Sequence, residues 1–145
     1  IAKRMNACAA EPLRLMIFDA TCTSDVTRIG LSRIWRAGSW LYRGLGRIDA
    51  ALGATSWLEA WTFLASYAPE RPIAQIQYWG HGTFGRAWMC RESLSPEELR
   101  TGQLAEALAK VAARMCRDDD GLVWLRTCES YCSQGSMPCY RRIRP

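Results

Sequence analysis

The chain holds one histidine, His81, at the end of an apolar run, Ile73-Ala74-Gln75-Ile76-Gln77-Tyr78-Trp79-Gly80, with Gly82 directly after it. Further on, Leu122-Val123-Trp124-Leu125 leads through Arg126-Thr127 into Cys128. These residue types suit a thiol nucleophile and its base. Cysteine attacks as thiolate, and a neighbouring imidazole accepts its proton. With no second histidine in the chain, Cys/His chemistry must use His81 as its base. A carbonyl under attack develops an oxyanion, best met by backbone N–H groups. Gly82, which lets the main chain approach a substrate with no Cβ in the way, and Cys128 itself are the expected oxyanion donors. Asp19, Cys22, Arg126 and Glu129 are the expected substrate-pocket residues: Asp19 ends the first apolar run, Cys22 follows it, and Arg126 and Glu129 stand on either side of Cys128. This chemistry calls for no metal and no cofactor.

The elements that must position these groups are legible in the pattern of apolar residues. Leu13-Arg14-Leu15-Met16-Ile17-Phe18 reads as a central strand ending at Asp19. Apolar residues recur at helical spacing from Gly30 to Leu45, although Gly38 weakens that helix. The stretch from Gly44 to Thr55 reads as a connection with a short edge strand. Ser56 is placed to cap a second helix with Trp57, Leu58, Trp61, Leu64 and Ala65 on its apolar face, ended by Pro69-Glu70-Arg71-Pro72. After the His81 strand, Gly82-Thr83-Phe84-Gly85 reads as a loop and Arg86 to Cys90 as a short extra strand. Ser95-Pro96-Glu97-Glu98 carries the signals of a helix start. Thr101-Gly102 interrupts it, with Thr101 capping the main helix through Leu104, Leu108, Val111 and Met115. Asp118-Asp119-Asp120-Gly121 turns into the strand before Cys128.

This alternation predicts an α/β fold, a three-layer sandwich with a mainly parallel sheet. Strands joined by a helical crossover run parallel, so their C-terminal ends share one edge, where open α/β folds place their sites. His81 and Cys128 both follow such ends. Trp79 and Trp124 are expected to pack against the flanking helices.

Bulk properties set bounds on the function. The 145 residues, 49% of them hydrophobic and seven of them Trp, read as a single domain spanning 1–145, with the part from about 131 onward truncated, gapped or flexible. No apolar run approaches the roughly 18 residues of a membrane span, so no membrane partner is expected. The net charge of +5 comes from scattered arginines, clustered only at Arg141-Arg142-Ile143-Arg144. That distribution fits a solvated basic surface better than a nucleic-acid interface. The seven cysteines, Cys8, Cys22, Cys90, Cys116, Cys128, Cys132 and Cys139, are odd in number and lack a regular framework. They argue against a disulfide scaffold and for a reducing cytoplasm. Cys128, Cys132 and Cys139 could contribute to a zinc site, but nothing completes the usual ligand set.

At its two motifs the chain resembles the caspase-like cysteine peptidases of clan CD, and within them the bacterial CHAT (caspase and TPR-associated) group. Gln77-Tyr78-Trp79-Gly80-His81-Gly82-Thr83-Phe84-Gly85 is similar to their histidine motif. Leu125-Arg126-Thr127-Cys128-Glu129-Ser130 is similar to their nucleophile segment. The spacing of the two lies near the caspase value of about 50 residues. The likeness covers about residues 73 to 130 and is weaker over 13 to 72. It implies a caspase-hemoglobinase fold and cleavage of protein or peptide substrates by a Cys128/His81 dyad, with Gly82 assisting the oxyanion. It also implies a role in bacterial defence or programmed death under a regulatory sensor or repeat protein. Two alternatives stay open: a catalytically inactive interaction module of the same fold, and a cysteine-rich zinc-binding module.

Overall fold

A computed structural model of the protein describes residues 10–23, 30–83, 86–94, 96–117 and 121–127. Strand β1, Leu13–Asp19, is buried on both faces and therefore lies inside the sheet. Helix α1, Leu31–Gly44, leads to the edge strand β2, Ala50–Ala54, which runs parallel to β1 with Leu15 opposite Ala50. Helix α2, Trp57–Ser66, then crosses to β3, Ile73–Trp79, on the other side of β1. Three short strands follow, β4 (His81–Thr83), β5 (Arg86–Met89) and β6 (Glu92–Leu94). Helix α3, Gly102–Arg114, returns the chain to β7, Leu122–Arg126, parallel to β3. The main sheet is thus parallel in the order β2-β1-β3-β7, and β4-β5-β6 form a separate antiparallel sheet.

Alternation along β1 divides the core. Leu13, Leu15 and Ile17 join Trp57, Ala60 and Leu64 of α2 and Ala107 and Val111 of α3. Met16 and Phe18 point the other way and meet Trp35 and Tyr42 of α1. The result is helix, sheet, helix, as the sequence pattern predicts.

Local details differ from expectation for identifiable reasons. Helix α1 runs unbroken through Gly38. A Cβ there would come within 3.2 Å of the Trp79 ring, so the glycine admits close packing of helix on sheet. Trp79 accordingly sits against α1, edge-on to Tyr42 at 5.4 Å. Trp124 is 44% exposed, and the Arg126 guanidinium lies 3.8 Å over its ring. Ser56 caps α2 as expected, accepting from Glu59 N–H. The helix start at Ser95-Pro96-Glu97-Glu98 yields only a 3-10 turn, Glu98–Arg100, and Ser95 lies outside the described residues. Glu98 accepts from the Ser93 hydroxyl at 3.1 Å. Thr101 takes the N-cap position of α3 without a side-chain cap bond, and Gly102, at φ +65°, marks the break.

An interaction with no sequence signature joins α3 to α2. The Arg114 guanidinium donates to the carbonyls of Leu64, Ala65, Tyr67, Ala68 and Arg71 at 2.7–3.2 Å. These carbonyls lie at and beyond the C-terminal end of α2, where helical acceptors lack partners and a cation is favoured. Arg114→Ala is expected to lower unfolding free energy by about 2 kcal/mol, the scale of charge-assisted hydrogen bonds. Arg114→Lys should recover only part, because an ammonium cannot reproduce the planar fork. Urea denaturation of the three proteins measures both.

Candidate active site

His81 is the first residue of β4, just past the C-terminal end of β3. Its position depends on a sharp change of course, since the chain leaves a parallel strand at Trp79 and enters an antiparallel hairpin at once. Gly80 makes that possible. A Cβ on Gly80 would collide with the Tyr78 hydroxyl, which passes over it and donates to the Trp88 carbonyl of β5. Trp88 is also the residue opposite His81 in the β4–β5 register. Gly82 is buried within β4, opposite Ala87; the segment expected as a loop from Gly82 begins as strand because it pairs with β5.

The hairpin is tied to the main domain at further points. Asp19, 2% exposed at the end of β1, accepts from Cys90 N–H at 3.2 Å and from Thr21 N–H at 2.8 Å. Glu92 accepts from Trp57 N–H at the start of α2, and its carbonyl accepts from the Trp57 indole. Ala87 and Met89 are buried in the core shared with α2. The Asp19 carboxylate therefore spans two parts of the fold, an anchoring task that its place at a strand end did not disclose.

His81 is exposed, and among the described residues its ring meets Trp35 and Cys22. Trp35 of α1 meets it edge-on at 5.7 Å. The Cys22 sulfur lies 3.3 Å from His81 Nε2. Cys22 is half-buried, and its carbonyl accepts from Ser32 N–H in the first turn of α1. Of the sequence-predicted site residues, the structure thus joins His81 with Cys22 directly.

Arg126 ends β7, opposite Trp79. Its guanidinium stacks over Trp124 and faces Trp79 at 4.9 Å, while its buried Nε has no hydrogen-bond partner among the described residues. Cys128 and Glu129 lie outside the described residues, as do Cys132 and Cys139. Among the described residues no group of three His, Cys, Asp or Glu side chains gathers around a metal position. No helix of the described residues is long and apolar enough to cross a membrane. An open groove of about 630 Å³ runs beside Trp57, Arg91, Glu92, Ser93 and Gln103, and none of the sequence-predicted site residues among the described ones lines it.

Tyr78 gives a test of how the hairpin is held. Burial, and then the Asp19 carboxylate, push its phenol far above the ordinary value of 10.0. The folded chain keeps that proton where the unfolded chain loses it. The stability linked to Tyr78 is therefore full below about pH 10 and lost as pH rises further. Tyr78→Phe is expected to cost about 1 kcal/mol at pH 8 through the lost bond to Trp88. Its deficit relative to wild type should narrow above about pH 10. Urea unfolding across pH 8 to 11 provides the readout, and amide exchange in β4 and β5 should show weakened protection at pH 8.

No protein-family model matches the chain and no curated protein matches it, so its function must be read from the residues and their geometry.

Proposed function

We propose that the chain is a caspase-like cysteine endopeptidase, built on a caspase-hemoglobinase arrangement, that hydrolyses peptide bonds in protein substrates with His81 as base and Cys128 as nucleophile. The observation that carries this reading is the parallel register of β3 with β7. Trp79 lies opposite Arg126; His81 comes two residues after the first, and in the sequence Cys128 comes two residues after the second. Neighbouring strand ends at the C-terminal edge of a parallel sheet are where open α/β folds assemble their sites.

In this reading His81 takes the Cys128 proton and the thiolate adds to the scissile carbonyl. The N–H groups of Gly82 and Cys128 meet the oxyanion. His81 then returns the proton to the leaving amine, and water, deprotonated by the same ring, hydrolyses the thioester. Arg126, held by aromatic rings beside this edge, and Glu129 bear on the choice of substrate residue. The free thiols of Cys22 and Cys90 fit a reducing cytoplasm. Control by a sensor or repeat protein in bacterial defence or programmed death follows from the resemblance alone.

A second reading, an interaction module without catalysis, is favoured by the large apolar side chains that α1 exposes, Trp40 at 68% and Leu41 at 60%. One experiment separates the two. Cleavage of a mixed fluorogenic peptide library is followed for wild type, Cys128→Ala and His81→Ala. The peptidase reading expects both variants to lose at least about 10³-fold in rate. Unchanged cleavage by Cys128→Ala overturns it, and no cleavage by wild type together with capture of a partner protein favours the interaction module.

A further inference from the structure

Among the described residues the thiol in contact with His81 is Cys22, to which the peptidase reading gives a place in the pocket but no chemical step. Cys22 is nonetheless held in place with some care. Its carbonyl accepts from Ser32 N–H at 3.1 Å, and Ser32 Oγ donates to the Asp19 carbonyl at 2.9 Å. Thr21, one residue before it, is fixed by the Asp19 carboxylate through both its N–H and its hydroxyl. Gly30 lies so close that a Cβ there would come within 3.0 Å of the Cys22 carbonyl oxygen. The His81 ring is held from the other side by Trp35 of the same helix. Helix α1 therefore positions both members of the pair, bringing the sulfur to 3.3 Å from Nε2. Cys22 is half-buried and His81 is exposed, so the pair lies at the surface.

We propose that Cys22 is a site of oxidative modification by hydroperoxides, activated by His81, and that its oxidation withdraws the ring from other chemistry. The thiol gives its proton to Nε2, and the resulting thiolate attacks one oxygen of the peroxide. An S–O bond forms as the O–O bond breaks. The departing hydroxide, or the alkoxide of an organic hydroperoxide, takes the proton held on His81 and leaves as water or as the alcohol. Sulfur is oxidised by two electrons to the sulfenic acid and the peroxide is reduced. The product places an oxygen-bearing group against Nε2, where the imidazole stays engaged until a small thiol condenses with the sulfenic acid and a second thiol frees Cys22 as the reduced residue. The modification rests on the Cys22–His81 geometry alone; its effect as a switch rests on the peptidase reading.

The test treats the full chain with substoichiometric hydrogen peroxide in the presence of dimedone, which traps sulfenic acids, and maps adducts by tandem mass spectrometry. Cys90, which is exposed, and Cys116, which is half-buried, serve as internal references. Cys22 is expected to carry at least about fivefold more adduct than either. His81→Gln and His81→Ala, each checked by circular dichroism, should bring it down to their level. Equal adduct at Cys22 and Cys90, or a Cys22 yield unchanged in both folded His81 variants, overturns the proposal. The same mapping on Cys128→Ala keeps the two readings apart. Adduct at Cys22 persisting in this variant supports the oxidation site whether or not the wild type cleaves peptides. Peptide cleavage by wild type with no excess adduct at Cys22 overturns the oxidation site and leaves the peptidase standing.

Discussion

The end of β3 is where the geometry of the site is decided. Up to Trp79 the chain is a central strand, paired on both sides by β1 and β7. One residue later it is the first strand of a hairpin. Such a change leaves backbone groups to be satisfied and side chains to be accommodated within a single step. The Tyr78 phenol, turned across Gly80 to the Trp88 carbonyl, meets both demands. It buries a large ring in the core, where it lies against Trp57 at 4.8 Å, and it gives the hairpin a fixed point of attachment. His81 inherits its position from this arrangement. It stands where it does because Gly80 has no Cβ and Tyr78, two residues before that glycine, has a hydroxyl.

The two faces of the sheet are covered unequally. Helices α2 and α3 share one face and are clamped together by Arg114. The other face has α1 alone among the described residues, centred on Met16, Phe18 and Trp79. The outermost described strand, β7, is exposed on both faces: Leu122 and Trp124, which point to the α1 face, are 49% and 44% exposed, and Val123, on the other face, is 53% exposed. The Arg126 guanidinium lies over this region, stacked on Trp124 and near Trp79 and Tyr42. A cation over aromatic faces gains roughly 0.5–2 kcal/mol and covers apolar area with its stem. Arg126 thus does for this part of the sheet what a helix does elsewhere, and its charge stays beside the edge that carries His81.

Much of this was open to reading because the strands are nearly continuous apolar runs, as a buried parallel sheet requires. The runs at Leu13, Ile73 and Leu122, the capped helix after Ser56 and the placement of His81 at a strand end all follow from local pattern. What could not be read depends on residues distant in sequence. Gly38 looks like a helix weakener until Trp79 is seen above it. Arg114 looks like an ordinary last-turn cation until the carbonyls of α2 surround it. Asp19 looks like a pocket residue, yet its carboxylate holds Thr21 and Cys90. At Ser95-Pro96-Glu97-Glu98 the local signals lead only to a 3-10 turn, because Thr101 is extended and the helix restarts at Gly102. The meeting of Cys22 with His81 has no local signal, since it is made by the way α1 gathers the end of β1 and the start of β4.

That meeting constrains any mechanism assigned to the ring. An imidazole has two nitrogens, and which one carries the proton is set by the hydrogen bond the other makes. With Nε2 at the Cys22 sulfur, Nδ1 is the nitrogen left for a second partner. A nucleophile elsewhere must therefore work through Nδ1 or wait for the ring to leave Cys22. Trp35 makes the second course costly, because turning the ring breaks an edge-on aromatic contact worth about 0.5–1.5 kcal/mol as well as the bond to sulfur. Under the proposed peptidase reading, whatever strengthens the hold of Cys22 on His81 subtracts from the base available to Cys128.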